Sequence, residues 1–219
     1  MDPSSLPERL NLAQVFLHAQ AAQHPGRAAL YFEEQVITYG QLADATHRAS
    51  AVYKGLGLEW EQRVLLMLPD VPQFASAWFA AVQAGGVVSA VNPGLKADEV
   101  TYYLNYTRAK LLVTDAATAA IVDSVRAQCP HLKHVLVAGG GAGKHLDYDA
   151  ELGRTAPDPA IADTHRDDPC VWLYTSGSTG FPKAAVHKQH DFVFNALTYG
   201  LPVLKYVAGD IGVSVPRLA

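Results

Sequence analysis

Apolar and polar positions along this chain repeat with two periods, and the helical one comes first. Leu12, Val15, Phe16 and Ala19 recur at helical spacing within residues 11–24. Asn11 is placed to cap that helix and Pro25-Gly26 to end it. Apolar runs over 28–32 and 36–39, parted by Glu33-Glu34-Gln35, predict a β-hairpin. A second helix is expected over 40–54, with Gly55 and Gly57 behind it. From Arg63 the text becomes regular. Residues 64–68 are apolar without a break, as a strand covered on both faces requires. A helix over 71–84 follows, with Val71, Phe74, Ala75, Trp78 and Val82 on one stripe and Gly85-Gly86 as its stop. Strand 87–91, helix 98–108, strand 111–114, helix 116–128 and strand 134–138 continue the alternation. Such an order joins its strands by right-handed crossovers, which predicts an α/β fold of mainly parallel sheets flanked by helices.

The second half of the pattern is less even. Residues 139–143 are a Gly-rich break, and 148–168, rich in Asp, Pro, Ala and Thr, read as a surface connection. Strands over 170–174 and 184–187 and a helix over 189–199 come next. The organisation expected is therefore an N-terminal α/β region over 1–168 and the start of a further sheet over 169–219. Residues 211–219 are apolar and strand-like with no polar tail behind them, which reads as a truncated chain.

Charge and cysteine usage narrow the function classes. The formal charge is −4 and no basic cluster occurs, so a nucleic-acid surface is not expected. The first residues carry no basic stretch followed by an apolar run, and apolar segments elsewhere break well short of membrane-spanning length. Cys129 and Cys170 stand far apart without metal-ligand spacing, as suits a reducing cytoplasm. A cytoplasmic protein without a membrane partner is expected; homo-oligomerisation is left open.

The chemistry concentrates in one loop, Tyr174-Thr-Ser-Gly-Ser-Thr-Gly-Phe-Pro-Lys183. Gly177 and Gly180 permit positive φ and close approach of the backbone to a ligand. Successive N–H groups in such a turn make an anion-binding concavity. The hydroxyls of Thr175, Ser176, Ser178 and Thr179 add donors. Pro182 stiffens the exit and Lys183 brings a full positive charge. In chemical terms this is a polyphosphate cradle.

That run closely resembles the phosphate loop of the acyl- and aryl-CoA ligases, firefly luciferases and peptide-synthetase adenylation domains. Gly40-Gln-Leu-Ala, Val64-Leu-Leu-Met-Leu-Pro, Gln83-Ala-Gly-Gly, Val91-Asn-Pro and Leu112-Val-Thr-Asp resemble the same family's early segments, in order. The tail, Gly209 to Ala219, looks most like the benzoate-type aryl-CoA ligases. The resemblance implies the N-terminal part of the adenylate-forming fold, with the mobile C-terminal domain absent from these residues. It implies an aromatic carboxylic acid of the benzoate type, ATP with Mg²⁺, and CoA as substrates. Thr175, Ser176, Gly177, Ser178, Thr179, Gly180 and Lys183 would hold the β- and γ-phosphates. The carboxylate would attack the α-phosphorus, giving an acyl-adenylate and pyrophosphate, and the CoA thiol would then displace AMP. The family's adenine-binding segment, ribose-binding acidic residue and adenylation lysine have no match here. No catalytic residue and no metal ligand is therefore assigned within the chain, and alone it is expected to be inactive. One departure stands out: the family usually has Gly after the motif lysine, where this chain has Ala184. An aliphatic acyl-CoA ligase and a non-catalytic module with a degenerate phosphate loop remain alternatives; a peptide-synthetase adenylation domain fits less well.

Three other signals have plainer readings. Ala138-Gly-Gly-Gly-Ala-Gly-Lys144-His145 imitates a Walker loop, but His145 replaces the hydroxyl that would reach Mg²⁺, and residues 147–149 open no convincing helix. His187, His190 and Asp191 straddle a strand-to-helix boundary, where Asp191 suits a helix cap better than a metal. Tyr102, Tyr103 and Tyr106 fit a half-buried helix, and Trp60, Trp78 and Trp172 core or rim positions.

Overall fold

The computed structural model of the chain describes residues 2, 5–175 and 181–213. The first helix contains a π-helical turn, Gln14–His18, that runs into α1 (Ala19–Gln23). Asn11 helps open it: its Oδ1 accepts from Ala13 N at 3.1 Å while its Nδ2 donates to Val82 O at 3.0 Å. The wider π turn rotates the expected stripe. Leu12, Ala13, Leu17 and His18 are buried, whereas Phe16 is 36% exposed. The hairpin of β1 (Ala28–Phe32) and β2 (Gln35–Thr38) follows. Thr38 then caps α2 (Tyr39–Gly55) in a reciprocal box with Gln41.

The alternating region folds as its pattern predicts. It comprises β3 (Arg63–Met67), α3 (Pro72–Gln83), β4 (Val87–Ala90), α4 (Ala97–Thr107), β5 (Leu111–Thr114), α5 (Ala116–Val125) and β6 (His134–Val137). β3 pairs in parallel with both β4 and β5, and β5 with β6. Strict alternation divides the apolar side chains of residues 64–68 between two cores. Val64, Leu66 and Leu68 join the core that includes residues of α2 and α3. Leu65 and Met67 join the core of α4 and α5. A Leu→Ala change at either centre would cost about 2–5 kcal/mol, because both faces are sealed.

Two expectations fail beyond β6. The stretch 148–168, expected to be a surface connection, begins with a helix: α6 spans Tyr148–Arg154, directly after β7 (Leu146–Asp147), which pairs with β6. Asp147 caps that helix by accepting from Ala150 N at 2.9 Å. The Pro- and Asp-rich composition belongs to residues 155–168, and it masked the short helix in front of them.

The second correction concerns the strands over 169–175 and 183–188, which among the described residues join the same sheet rather than start a new one. β8 (Pro169–Thr175) pairs in parallel with β4, and β9 (Lys183–Lys188) pairs antiparallel with β8. Among the described residues one seven-stranded sheet results, in the order β7-β6-β5-β3-β4-β8-β9. The chain recrosses from the β7 edge through residues 155–168, which are pinned to the helices on the way. Ala162 N donates to Gln83 O, Gln83 Nε2 to Asp158 O, and Lys54 Nζ lies 2.9 Å from the Asp158 carboxylate. After β9 come α7 (Gln189–Asn195) and a π-helical turn, Ala196–Gly200.

Candidate functional site

In an open α/β sheet, ligands bind outside the carboxyl ends of the parallel strands. β8 runs parallel to β4, so Thr175 emerges at that edge, and β9 returns from it. Thr175 and Lys183 are partners across the end of this ladder, and both are exposed. Ser176, Gly177, Ser178, Thr179 and Gly180, the remaining residues assigned to phosphate, lie outside the described residues. Lys183 makes no ion pair with any described residue. A cation and a hydroxyl presented side by side to solvent fit a polyphosphate in charge and in donor type.

The base of this loop is held by aromatic residues that the sequence offered only as a half-buried helix face. Tyr102, Tyr103 and Tyr106 of α4 all reach the β8–β9 hairpin. Tyr102 OH donates to Pro182 O at 2.6 Å, and its ring stacks on Phe181 with centroids 5.0 Å apart. Tyr106 OH accepts from Ala184 N at 3.3 Å. Tyr103 meets Tyr174 edge-on at 4.8 Å, and Tyr174 OH lies 2.7 Å from Ser89 Oγ on β4. Burial drives the Tyr174 phenol well above its ordinary range, against the opposing pull of the Ser89 hydrogen bond. Burial, reinforced by the neighbouring Tyr106, also raises the Tyr102 phenol. Both hydroxyls therefore keep their protons at neutral pH. Farther along, the Arg63 guanidinium stands 5.6 Å over the Trp172 ring while its Nε donates to Thr107 O. Only the i, i+4 spacing of Tyr102 and Tyr106 hinted at a shared target.

The other glycine-rich loop takes a different form. Gly139, Gly140, Gly141 and Gly143 all adopt positive φ. However, the Gly139 N–H is taken by the Asp149 carboxylate at 3.0 Å, and Lys144 Nζ is 3.1 Å from Asp123. A carboxylate already occupies the donor that an anion would need. His187 and His190 flank Asp191, whose Oδ2 accepts from Lys188 N and so caps α7. Among the described residues no group of three or more His, Cys, Asp or Glu side chains is arranged to hold a metal ion. No helix among them is long and apolar enough to cross a membrane. Both cysteines are free and buried.

Comparison with known proteins follows the same line. The family described as AMP-binding enzyme matches residues 17–215. The benzoate–CoA ligase of Thauera aromatica is 32% identical over 215 residues, covering 97% of this chain and 40% of that protein. The 4-hydroxybenzoate–CoA/benzoate–CoA ligase of Rhodopseudomonas palustris is 30% identical over 178 residues, covering 81% of this chain and 33% of that protein. Among solved structures, the anthranilate CoA ligase AuaEII in complex with anthranoyl-AMP superposes with a TM-score of 0.88 at 27% identity. That match covers 92% of this chain and 39% of the other. The chain thus spans 40% or less of the length of these relatives. Matched by its model along most of its length, the chain belongs to the AMP-binding enzyme family.

Proposed function

We propose that this chain supplies the triphosphate-binding part of an enzyme that activates an aromatic carboxylic acid of the benzoate type. MgATP and the acid would give an acyl-adenylate and pyrophosphate, and CoA would then take the acyl group as a thioester. The observation that carries this reading is the end of the β8–β9 ladder, where Thr175 and an exposed Lys183 face each other at the carboxyl edge of the sheet. In this reading the hydroxyls and N–H groups of residues 175–180 hold the β- and γ-phosphates, an assignment that rests on the motif for Ser176 to Gly180. Lys183 neutralises charge that builds on the departing pyrophosphate. The aromatic substrate class is supported by the names of the two curated relatives and by the benzoate-type resemblance of the tail.

Titration with inorganic tripolyphosphate tests the site. The 219-residue chain is expected to bind it, and Lys183→Ala to weaken binding about tenfold, the worth of one exposed charge-assisted contact. Equal binding by the wild type and Lys183→Ala would overturn the assignment. The substrate class is tested separately in the whole enzyme. Benzoate is expected to stimulate ATP–pyrophosphate exchange more strongly than acetate, and the reverse order would point to an aliphatic acid.

A further inference from the structure

Lys183 lies between two residues that are each held by a phenol from one face of α4. Tyr102 and Tyr106 are four residues apart and so project side by side. The first grips Pro182 O at 2.6 Å, and the second accepts from Ala184 N at 3.3 Å. Thr175↔Lys183 is the last pair of the ladder among the described residues, and Pro182 stands immediately before it. The Tyr102 hydroxyl binds the Pro182 carbonyl at that end of the strand. Its ring, meanwhile, is sandwiched between Phe181 at 5.0 Å and Tyr106 at 5.4 Å, both in stacked arrangement. One side chain therefore fixes both residues that precede the lysine, by a hydrogen bond and by a stack.

We propose that Tyr102 is a positioning residue for the phosphate loop: it holds Phe181-Pro182 so that Lys183 is presented to the polyphosphate before the ligand arrives. The proposal rests on the phosphate-binding reading of the hairpin. The physical gain is preorganisation. A lysine whose backbone is fixed at two neighbours loses less conformational freedom on binding than one on a free strand end. The phenol is suited to the task because its raised pKa keeps it a donor throughout the ordinary pH range.

A double-mutant cycle on tripolyphosphate affinity separates positioning from general support of the fold. Tyr102→Phe keeps the ring and removes the donor. It is expected to weaken binding about three- to tenfold, the range of one hydrogen bond. On a Lys183→Ala background the same change is expected to do nothing further, because the group it positions is gone. Tyr31→Phe, which removes an exposed phenol on β1, is expected to leave affinity unchanged. Should Tyr102→Phe fail to fold, Phe181→Ala serves instead: Phe181 is 66% exposed, and losing it removes only the stack. Unchanged affinity in Tyr102→Phe, or an equal loss in both backgrounds, overturns the proposal while the phosphate site stands. A wild-type chain that binds no tripolyphosphate overturns the site and the proposal together.

Discussion

Lys144 Nζ lies 3.1 Å from the Asp123 carboxylate, on the helix α5 that packs beside its loop. His145 Nε2 approaches the same carboxylate at 3.0 Å. The lysine of the Walker-like run is thus turned toward a neighbouring helix, and the loop's first N–H is spent on Asp149. Lys144→Ala is expected to leave tripolyphosphate affinity unchanged and the thermal midpoint close to wild type, since exposed ion pairs contribute little. Calorimetric titration and a thermal melt of the variant check both. Loss of affinity here, with Lys183→Ala unaffected, would transfer the phosphate site to this loop.

The helix hidden in the 148–168 stretch makes a second expectation. Tyr148 is fully buried, and its hydroxyl lies 2.9 Å from Ser76 Oγ on α3. Burial keeps that phenol far above its ordinary pKa. Tyr148→Phe should cost about 1–2 kcal/mol, the worth of a buried hydrogen bond whose partner is left behind. The loss is moderated because Ser76 Oγ also reaches Gln73 O. Asp147→Ala, which removes the cap of α6, should cost about 1 kcal/mol. Urea denaturation of the two variants gives these differences directly. No loss in either would mean that α6 does not contribute to the cooperative core.

What could be read from the chain follows from which interactions are local. Val64 to Leu68 announce a doubly covered strand because both of its faces are apolar, and the structure splits them between two cores. The helices around β3 were legible through their spacing and their Gly stops. The place of β8 was not, since pairing with β4 joins residues more than eighty positions apart and leaves no trace in either strand's pattern. The same distance hid the role of Tyr102: its target, Pro182, is eighty residues away. The run 174–183 stands out through its own residues, but the aromatic frame at its base does not. Asp147 failed as a helix signal for another reason. A good cap was present, but the helix behind it spans only seven residues and sits next to Pro-rich text.

Two glycines with opposite surroundings give a prediction in opposite signs. Gly85 has φ +80°, and a Cβ there would meet Ala162 Cβ and the Trp60 ring at 3.0 Å. Gly85→Ala should destabilise the chain by about 1–3 kcal/mol, from the left-handed conformation and the contact together. Gly153 lies in α6 with nothing within 4 Å of such a Cβ. Gly153→Ala should stabilise by about 0.5–1 kcal/mol through helix propensity and a less flexible unfolded chain. Chemical denaturation of the pair reads both signs, and a destabilised Gly153→Ala would contradict the helical placement.

The last expectation concerns acid. His18 is buried in the π-helical turn, with its ring stacked on His47 at 4.4 Å and 6° between planes. Burial first, and the nearby His47 second, lower its pKa from 6.5 to about 4, against the opposing pull of Gln83. His47 in turn is held through Nδ1 at 3.1 Å from Gln83 Oε1, so the stack ties the first helix to α2 and α3. Lowering the folded-state value of a base means that the unfolded chain binds the proton more readily. Between pH 6.5 and about 4 the unfolded state therefore carries more protons, and stability falls as pH falls through that window. Above it both states are neutral at this site and the contribution is constant. His18→Phe retains a ring for the stack and removes the titration. Its stability between pH 7 and pH 5 should then vary less than that of the wild type. Urea midpoints at the two pH values measure the difference between slopes, which does not depend on any constant change in packing caused by the substitution. Parallel slopes for the two proteins would assign the acid sensitivity to other groups, and a steeper slope in His18→Phe would reverse the sign argued for this pair.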